Sequence, residues 1–348
     1  MSTTASSSLS RRHFLAKGAL AATGIAIPGA LNAGHAADPK PLVTATPNTA
    51  APTPIDGTSQ HRFKLGIATY SYWHFQPKKF PIEAVIDKAA ALEVEGVDIL
   101  HRQMESEENA YCQRIKRHAF LNGIDLICLS MHQNFVNYNV AKRQFDPEKR
   151  AAQVAHTHKC LEIASRLGIP SMRINAGQWG TTKSFDKLME NRGIEAIPEG
   201  ATEDDAFKWA IESIRQCLDR AAELGVILAL ENHWGLSSTP EGMLRIHREI
   251  NSPWLALLPD TGNFLENPYD KLAKVFPHAA YVQAKTYYGG GEWYTLDLDY
   301  KRIFRLLRDA GYKGYVGIEF EGKAPGDEGT RLSVEHLRAC SEATSGKR

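Results

Sequence analysis

Four stretches of the sequence decide the fold: VILALENHWG at residues 226–235, WLALLPDTGNF at 254–264, AAYVQAKTYY at 279–288 and YVGIEFEG at 315–322. Each begins with a short apolar run and ends in residues with carboxylate or amide side chains. A continuous apolar run of this length is typical of a strand that is buried on both faces, as in a parallel sheet. The second half of the chain therefore predicts four buried strands whose carboxyl ends are polar.

The same pattern recurs upstream, and helical sequences separate the runs. Apolar residues repeat at i, i+3 and i+4 in these sequences, and Gly168, Gly225 and Gly311 are placed as left-handed caps at three helix ends. The predicted strands are Lys64–Tyr70, Gly96–Leu100, Asp125–His132, Ser171–Gly177, Val226–His233, Trp254–Asp260, Ala280–Thr286 and Tyr315–Phe320. Eight alternating strands and helices predict a single-domain (β/α)8 TIM barrel of the α/β class over residues 61–348.

Two further features bear on the fold. No GxGxxG motif follows the first predicted strand and no GxxxxGK[ST] motif is present, which weakens a doubly wound alternative. A long segment after the fourth strand, 178–201, lies on the carboxyl side of the predicted barrel. The sequence leaves open whether it is a lid or an insertion.

The N-terminal residues predict export. Arg11 and Arg12 precede a mildly apolar run, and Gly34 and Ala36 supply small residues before a cleavage point, so residues 1–36 resemble a twin-arginine signal peptide. Residues 37–60 contain five Pro and read as a linker. The apolar run is too short to span a bilayer. We therefore expect a periplasmic or exported protein that engages the twin-arginine export machinery and has no stable membrane anchor.

The composition of the chain argues against some classes of binding partner. The chain has 348 residues, 41 Lys and Arg against 40 Asp and Glu, and no block of like charges, which argues against a nucleic-acid partner. Five cysteines without CxxC or zinc-type spacing are expected to be free and buried. A homo-oligomer is left open.

A metal site is predicted where the last four strands end. Glu231, Asp260, Gln283 and Glu319 each follow the apolar run of one of these strands, and the carboxyl ends of barrel strands meet at one face. Three carboxylates so close would have raised pKa values unless a cation lay between them. An oxygen-only set suits Mn²⁺, with Mg²⁺ or Co²⁺ as alternatives. The sequence thus predicts one divalent metal.

Further polar and aromatic residues are expected around that metal. The two-residue period of a strand places His233 beside Glu231 and Lys285 beside Gln283. The predicted substrate-binding residues are Arg173, Asn175, His233, Trp234, Asn263, Tyr287 and Glu321, and Lys285 and His132 are predicted to be catalytic. Aromatic faces with amide and guanidinium donors suit a small polyhydroxylated ligand, so we expect a carbohydrate substrate.

These residues resemble the metal site of the xylose isomerase-like TIM barrels, a superfamily that includes ketose 3-epimerases, inosose dehydratases and, more remotely, endonuclease IV. The resemblance rests on ALENH at 229–233, DTGN at 260–263, QAK at 283–285 and GIEFEG at 317–322, and it covers 61–340. It implies a metal held by Glu231, Asp260, Gln283 and Glu319. Gln283 and Asn263 depart from the family pattern, which often has His at both positions.

The resemblance also implies a chemistry. A metal-stabilised enediolate would form by proton abstraction next to a carbonyl, with Glu231 and Glu319 as base and acid. Because exported enzymes meet free sugars and glycosides, the first hypothesis is an isomerase or epimerase of a non-phosphorylated sugar or keto-sugar. The alternatives are a lyase or dehydratase acting on a 3-keto-sugar, 3-keto-glycoside or inosose, and a non-catalytic periplasmic sugar-binding barrel.

Overall fold

The structure contains the barrel that the alternation of apolar runs predicts. It is a computed structural model that describes residues 62–345; the predicted leader (1–36) and linker (37–60) lie outside the described residues. Helices separate eight parallel strands. The strands are β1 Lys64–Ala68, β2 Gly96–Leu100, β3 Asp125–Ser130, β4 Ser171–Ile174, β5 Ile227–Glu231, β6 Leu255–Leu258, β7 Val282–Thr286 and β8 Tyr315–Phe320.

The sheet closes on itself. Its strand order is β6-β5-β4-β3-β2-β1-β8-β7. Parallel bridges between Leu257 and Ala279 and between Asp260 and Gln283 join β6 to β7, and the backbone N–H of Ala280 donates to the carbonyl of Leu257 at 2.9 Å. The bridge at the carboxyl side of this seam therefore brings two of the predicted metal ligands next to each other.

Helix ends follow the capping residues in the sequence. Gly168 and Gly225 end α3 and α5 with φ of 75° and 67°, and Gly311 follows α8 with φ of 70°, so all three predicted caps adopt the left-handed conformation. The helices are α1 Ile82–Ala91, α2 Asn109–Leu121, α3 Pro147–Leu167, α4 Phe185–Glu190, α5 Glu203–Leu224, α6 Pro240–Ile250, α7 Pro268–Val275, α8 Tyr300–Asp309 and α9 Gly326–Thr344. Within residues 62–345, none is long and apolar enough to cross a membrane.

Several strands end earlier than the sequence predicts. β3 to β6 end at Ser130, Ile174, Glu231 and Leu258, two or three residues before the predicted ends. Beyond these points side chains bind the backbone in place of a neighbouring strand: Asn232 Oδ1, for example, accepts the backbone N–H of Asp260 at 2.6 Å. His132, Asn175, His233, Asp260 and Asn263 therefore lie in loops at the strand ends.

An apolar cluster, the interior cluster, fills part of the barrel. Its buried members are Ile127, Cys128, Ala229, Leu258 and Tyr281. Glycines make room for it: a Cβ on Gly66 or Gly96 would lie 2.7 Å from the Ile127 side chain, and one on Gly317 would overlap the Tyr281 ring. All five cysteines of the chain are buried and free, as predicted.

The long segment 178–201 contains α4 and is held together by hydrogen bonds within the segment. The Glu195 carboxylate accepts backbone N–H groups from Gly180 at 2.9 Å and Thr182 at 3.0 Å. Gly193, with φ of 76°, lies against the Trp234 ring where a Cβ would overlap it. The segment therefore packs on the loop after β5, and its use as a lid stays a prediction.

Candidate active site

Lys285 on β7 is the centre of charge at the carboxyl ends of β4–β8, here called the mouth. Its Nζ lies 3.2 Å from Asp260 Oδ2, 3.3 Å from Glu319 Oε2 and 3.4 Å from Glu321 Oε2, and it donates to Asn263 Oδ1 at 3.1 Å. Burial disfavours the charge, but the carboxylates of Asp260 and Glu321 outweigh it and raise the pKa of Lys285. A buried ammonium therefore joins carboxylates from β8 and the loop after β6.

Glu231, at the end of β5, is surrounded by nitrogen donors. Asn175 Nδ2 donates to its Oε2 at 2.8 Å, and Asn263 Nδ2 donates to its Oε1 at 3.3 Å. Arg173 Nη1 lies 3.5 Å from Oε2, and Arg173 Nε donates to the carbonyl of Met131 at 3.2 Å. The carboxylate is 1% exposed, so these donors replace the water that its charge would otherwise require.

Asp260 lies fully buried beside Lys285. The backbone N–H of Gly262 donates to Asp260 Oδ1 at 2.7 Å, while Oδ2 forms the ion pair with Lys285 Nζ at 3.2 Å and accepts no hydrogen bond from another described residue. Burial raises the pKa of Asp260 well above its usual value, and Lys285 acts against that shift. Gly262 allows this approach, because a Cβ there would lie 2.7 Å from the Lys285 side chain.

Gln283 is oriented by a buried acid that sequence reasoning missed. Asp98 on β2 accepts hydrogen bonds at Oδ2 from Ser130 Oγ at 2.9 Å, Gln283 Nε2 at 3.1 Å and Tyr281 Oη at 3.3 Å. Burial raises the pKa of Asp98 to about 7. Because Gln283 commits its Nε2 to Asp98, its buried Oε1 is left without a hydrogen-bond donor among the described residues. The signal that could have revealed Asp98 is a lone acid in the apolar strand GVDIL.

Two imidazoles and an indole form one wall of the mouth. The rings of His132 and His233 pack edge to face with centroids 5.8 Å apart, and Trp234 follows 5.1 Å from His233. His132 keeps an exposed edge, whereas His233 is half-buried. Desolvation and the nearby Arg173 lower the pKa of both imidazoles. Both rings are therefore neutral at pH 7, and each offers one donor and one acceptor.

Phenols line the opposite wall. Tyr294 Oη donates to Asn263 Oδ1 at 3.1 Å, and the ring of Tyr287 lies 5.8 Å from that of Tyr294. Tyr70 Oη donates to Glu321 Oε1 at 3.4 Å, and burial raises the pKa of Glu321. Tyr294 was missed by sequence reasoning, because it lies in an irregular loop where no periodicity marks it.

The structure joins most of the predicted residues in one network. Direct contacts link Arg173, Asn175, Glu231, Asp260, Asn263, Lys285, Glu319 and Glu321. Gln283 joins by its backbone bridge to Asp260, while its side chain reaches Asp98. His132, His233, Trp234 and Tyr287 contribute the walls, and their roles in binding stay predictions.

A second polar cluster lies elsewhere. Within residues 62–345, one group of three His, Cys or acidic side chains has its ligand atoms within 4.8 Å of one another: His101, His156 and Cys160. Sequence reasoning missed it, although the spacing of His156 and Cys160 on α3 places both on one helix face.

Comparison with known proteins agrees with the architecture. Residues 86–340 match the family described as the xylose isomerase-like TIM barrel. Among solved structures, D-psicose 3-epimerase from Clostridium cellulolyticum H10, determined with D-tagatose, is similar with a TM-score of 0.62 at 16% identity, over 80% of this chain and 99% of that chain. The 3-keto-D-glucoside 4-epimerase of E. coli is similar with a TM-score of 0.62 at 17% identity, over 80% of this chain and 100% of that chain. At such identities the likeness shows the fold.

One curated relative is similar in sequence. A human protein named "Putative hydroxypyruvate isomerase" is 24% identical over 198 residues, which is 53% of this chain. The match spans 65% of that protein, slightly less than two thirds of its length.

Proposed function

The chain belongs to the xylose isomerase-like TIM barrel family, and from that premise we propose that it is a divalent-metal-dependent isomerase or epimerase of a non-phosphorylated sugar or keto-sugar. The sugar epimerases and isomerases among its structural neighbours support the general class. The observation that carries the proposal is the mouth itself, where three buried carboxylates from two strand ends surround a single ammonium 3.2–3.4 Å away.

The donor types of the mouth suit a divalent metal, although in this structure Lys285 lies between Asp260 and Glu319, and Glu231, Asp260 and Glu319 do not bring three carboxylate oxygens within 4.8 Å of one another. Glu231, Asp260, Glu319 and Glu321 face the two cations Arg173 and Lys285, so the ionised mouth has two negative charges in excess. Gln283 Oε1 is a buried oxygen without a hydrogen-bond donor among the described residues, and Asp260 Oδ2 is paired with Lys285 Nζ alone, at 3.2 Å. We propose that Glu231, Asp260, Gln283 and Glu319 hold Mn²⁺, with Mg²⁺ or Co²⁺ as alternatives. When bound, the metal would polarise the substrate carbonyl and stabilise an enediolate.

The proton transfers fall to side chains of this chain. Glu231 and Glu319 come from different strands, so one can remove the proton next to the carbonyl while the other returns a proton to the opposite face. Lys285 lies 3.3 Å from Glu319, and its raised pKa keeps it charged beside an oxygen that becomes negative. Epimerisation and isomerisation differ only in which carbon receives the proton.

The walls of the mouth favour a neutral polyhydroxylated substrate. His132 and His233 are neutral at pH 7 and can each donate and accept a hydrogen bond. Asn175 Oδ1 and Tyr287 Oη are buried without a hydrogen-bond partner among the described residues, so they are available to hydroxyl groups. Arg173 and Lys285 are already paired with carboxylates, which argues against their use as a phosphate clamp.

One observation favours a second candidate function, an elimination. Burial raises the pKa of Glu321, so this carboxyl group, 3.4 Å from Lys285, takes up a proton more readily than an exposed one. A protonated carboxyl or an ammonium at this place could protonate a departing hydroxyl or glycosidic oxygen. The enzyme would then be a lyase acting on a 3-keto-sugar, 3-keto-glycoside or inosose, with the same carboxylate base.

The reaction can be identified by NMR in D₂O. Purified protein with Mn²⁺ is incubated with a panel of ketoses and 3-keto-glycosides, because epimerisation, isomerisation and elimination leave different products and different label positions. We expect Glu319→Gln to lower deuterium exchange by about 10²–10⁴-fold. The exposed Glu335→Gln is the matched control, and it should exchange at the wild-type rate.

Two results would change the proposal. If wild-type protein with Mn²⁺ bound a sugar of the panel but exchanged no deuterium, a non-catalytic sugar-binding barrel would replace it. Unchanged Mn²⁺ content in Gln283→Ala would remove Gln283 from the ligand set.

We propose export through the twin-arginine pathway on separate grounds, the sequence of residues 1–36. The proposal predicts that a bacterial periplasmic fraction contains a chain that begins at Ala37. Replacement of Arg11 and Arg12 by Lys should retain the unprocessed chain in the cytoplasm, and continued export of that variant would contradict the proposal.

A further inference from the structure

A cluster of two imidazoles and one thiol lies outside the mouth, between the loop after β2 and the helix α3. His101 directly follows β2, and His156 and Cys160 are separated by one turn of α3. His156 Nε2 lies 3.8 Å from Cys160 Sγ, and the rings of His101 and His156 have centroids 5.4 Å apart. One ligand atom from each residue lies within 4.8 Å of the other two, a spacing that a single bound ion could bridge.

The two imidazoles are in the chemical state that metal binding needs, whereas burial raises the pKa of the Cys160 thiol to about 12, so this thiol keeps its proton until a metal binds. Burial lowers the pKa of both His101 and His156, so both imidazoles are neutral at pH 7 and have a free lone pair. Cys160 is fully buried and forms no disulfide. Two imidazole nitrogens and one sulfur are a donor set that Zn²⁺ prefers to Mg²⁺ or Mn²⁺.

A carboxylate hydrogen-bonds to one ring nitrogen of His101 and orients the imidazole. Glu107 Oε1 lies 2.8 Å from His101 Nε2, so Nε2 carries the hydrogen of that bond and Nδ1 keeps the lone pair. Glu107 is itself held in place. Its other carboxylate oxygen, Oε2, pairs with Lys159, and its backbone carbonyl accepts a hydrogen bond from Arg166 Nη1 at 3.1 Å. A carboxylate that orients a ligand imidazole is the usual second layer of a protein zinc site.

We propose that His101, His156 and Cys160 form a zinc site that links the loop after β2 to α3. Binding releases the Cys160 thiol proton to solvent as the thiolate–zinc bond forms, so one proton leaves for each ion bound, and water completes the tetrahedral shell. The site is separate in ligand type from the oxygen donors of the mouth. Zinc here fixes residues 101–108, which lead from the carboxyl end of β2 into α2.

A pair with the same spacing on another helix provides the control. Cys340 Sγ lies 3.8 Å from His336 Nε2 on α9, the same one-turn arrangement with the same distance. Within the described residues, His336 and Cys340 have no third ligand close enough to form such a group. Cys340→Ser therefore removes an equivalent thiol without touching the proposed site.

The test uses Co²⁺ as a spectroscopic substitute for zinc. Full-length protein is stripped with a chelator and titrated with Co²⁺, which gives a near-ultraviolet thiolate-to-metal absorption only when a thiolate is bound. We expect that absorption in wild type, in Cys340→Ser and in the mouth variant Asp260→Asn, and its displacement by one equivalent of Zn²⁺. Cys160→Ser should abolish it, and His101→Gln should weaken Co²⁺ binding by at least tenfold.

Two results would overturn the proposal: no thiolate absorption in wild type, or an absorption that survives in Cys160→Ser. If Cys160→Ser fails to fold, His101→Gln still tests the proposal. That variant keeps the Cys160 thiol, and it changes a residue outside the barrel strands and outside α1–α9. Wild-type affinity in that variant would remove His101 from the site.

Discussion

The mouth and the interior cluster share the strands β5 and β6, yet they bury opposite kinds of side chain. The mouth holds Lys285 among three carboxylates at 3.2–3.4 Å, whereas the interior cluster holds Ile127, Cys128, Ala229, Leu258 and Tyr281. Shape and volume dominate the energy of the second region, and the balance of charge dominates the first. The difference shows that residues at the carboxyl end of a barrel strand can serve the reaction while earlier residues of the same strand pack the interior.

The largest expected effect is in the mouth. Lys285→Met leaves the carboxylates of Asp260, Glu319 and Glu321 without their shared cation, and breaking a buried pair in this way costs about 3–5 kcal/mol. We expect that loss in the free energy of unfolding, measured by urea denaturation in a chelator. If the mouth binds a divalent metal, Mn²⁺ should restore part of the stability.

The matched control for Lys285→Met is Lys274→Met. Lys274 pairs with Glu241 at 2.8 Å, but both side chains are more than half exposed, so we expect less than about 1 kcal/mol. Equal stability of the two variants would mean that Lys285 does not balance the charge of the mouth.

The interior cluster should respond to volume alone. A Cβ at Gly317 would overlap the Tyr281 ring, so Gly317→Ala should lower the free energy of unfolding by about 1–3 kcal/mol. Tyr281→Phe removes the atom nearest to that Cβ, and the double variant should lose less than the sum of the single variants. Mn²⁺ affinity of Gly317→Ala should stay at the wild-type value, and a loss of affinity would contradict the separation of the two regions. Tyr281→Phe is left out of that comparison, because it also removes a donor to Asp98.

Asp98 lies where the two regions meet, because it accepts hydrogen bonds from both Tyr281 and Gln283. Asp98→Asn replaces a carboxylate acceptor by a neutral amide oxygen, so the hydrogen bond that orients the Gln283 side chain becomes weaker. We expect Mn²⁺ affinity to fall by about 10–100-fold, as for other residues that orient a metal ligand. A calorimetric titration measures this change.

Ser130→Ala is the control for Asp98→Asn. It removes one donor to Asp98 but leaves the carboxylate that holds Gln283, so we expect a smaller loss of affinity. Wild-type Mn²⁺ affinity in Asp98→Asn would show that Asp98 only fills the space beneath the mouth.

The contrast between the two regions also explains what the sequence could predict. The eight apolar runs and the caps at Gly168 and Gly225 are local patterns, and they were sufficient for the barrel. Strand ends of a barrel converge whatever their pairing, so the sequence could also assign Glu231, Asp260 and Glu319 to one face. The individual pairings depend on where each strand stops, which side-chain bonds such as Asn232 to Asp260 decide.

The sequence could not predict contacts between residues on different strands or loops, because such contacts also depend on where each strand ends. Asp98 on β2 meets Gln283 on β7 across the barrel, and Tyr294 reaches Asn263 from an irregular loop. The group of His101 with the α3 residues combines a loop with a helix. A pattern along one segment carries no information on such contacts.

The smallest expected effect concerns two histidines on the outer wall of the barrel, away from both the mouth and the interior cluster. His247 on α6 stacks against His278, with ring centroids 4.7 Å apart, and burial together with His278 lowers the pKa of His247 to about 4. An unfolded His has a pKa of about 6.5. As pH falls from 7 towards 4, the unfolded chain therefore binds a proton that the folded protein excludes, and stability falls.

At pH 5.5 this difference amounts to about 1 kcal/mol relative to pH 8. His247→Gln should remove that part of the pH dependence in urea denaturation with a chelator present, and His158→Gln on α3 should leave the wild-type profile. A full wild-type slope in His247→Gln would assign the acid sensitivity to the titratable groups of the mouth. In that case His132 and His233, whose pKa values are lowered, would account for the slope, because Asp98 and Glu321 have raised pKa values and favour the folded protein as pH falls.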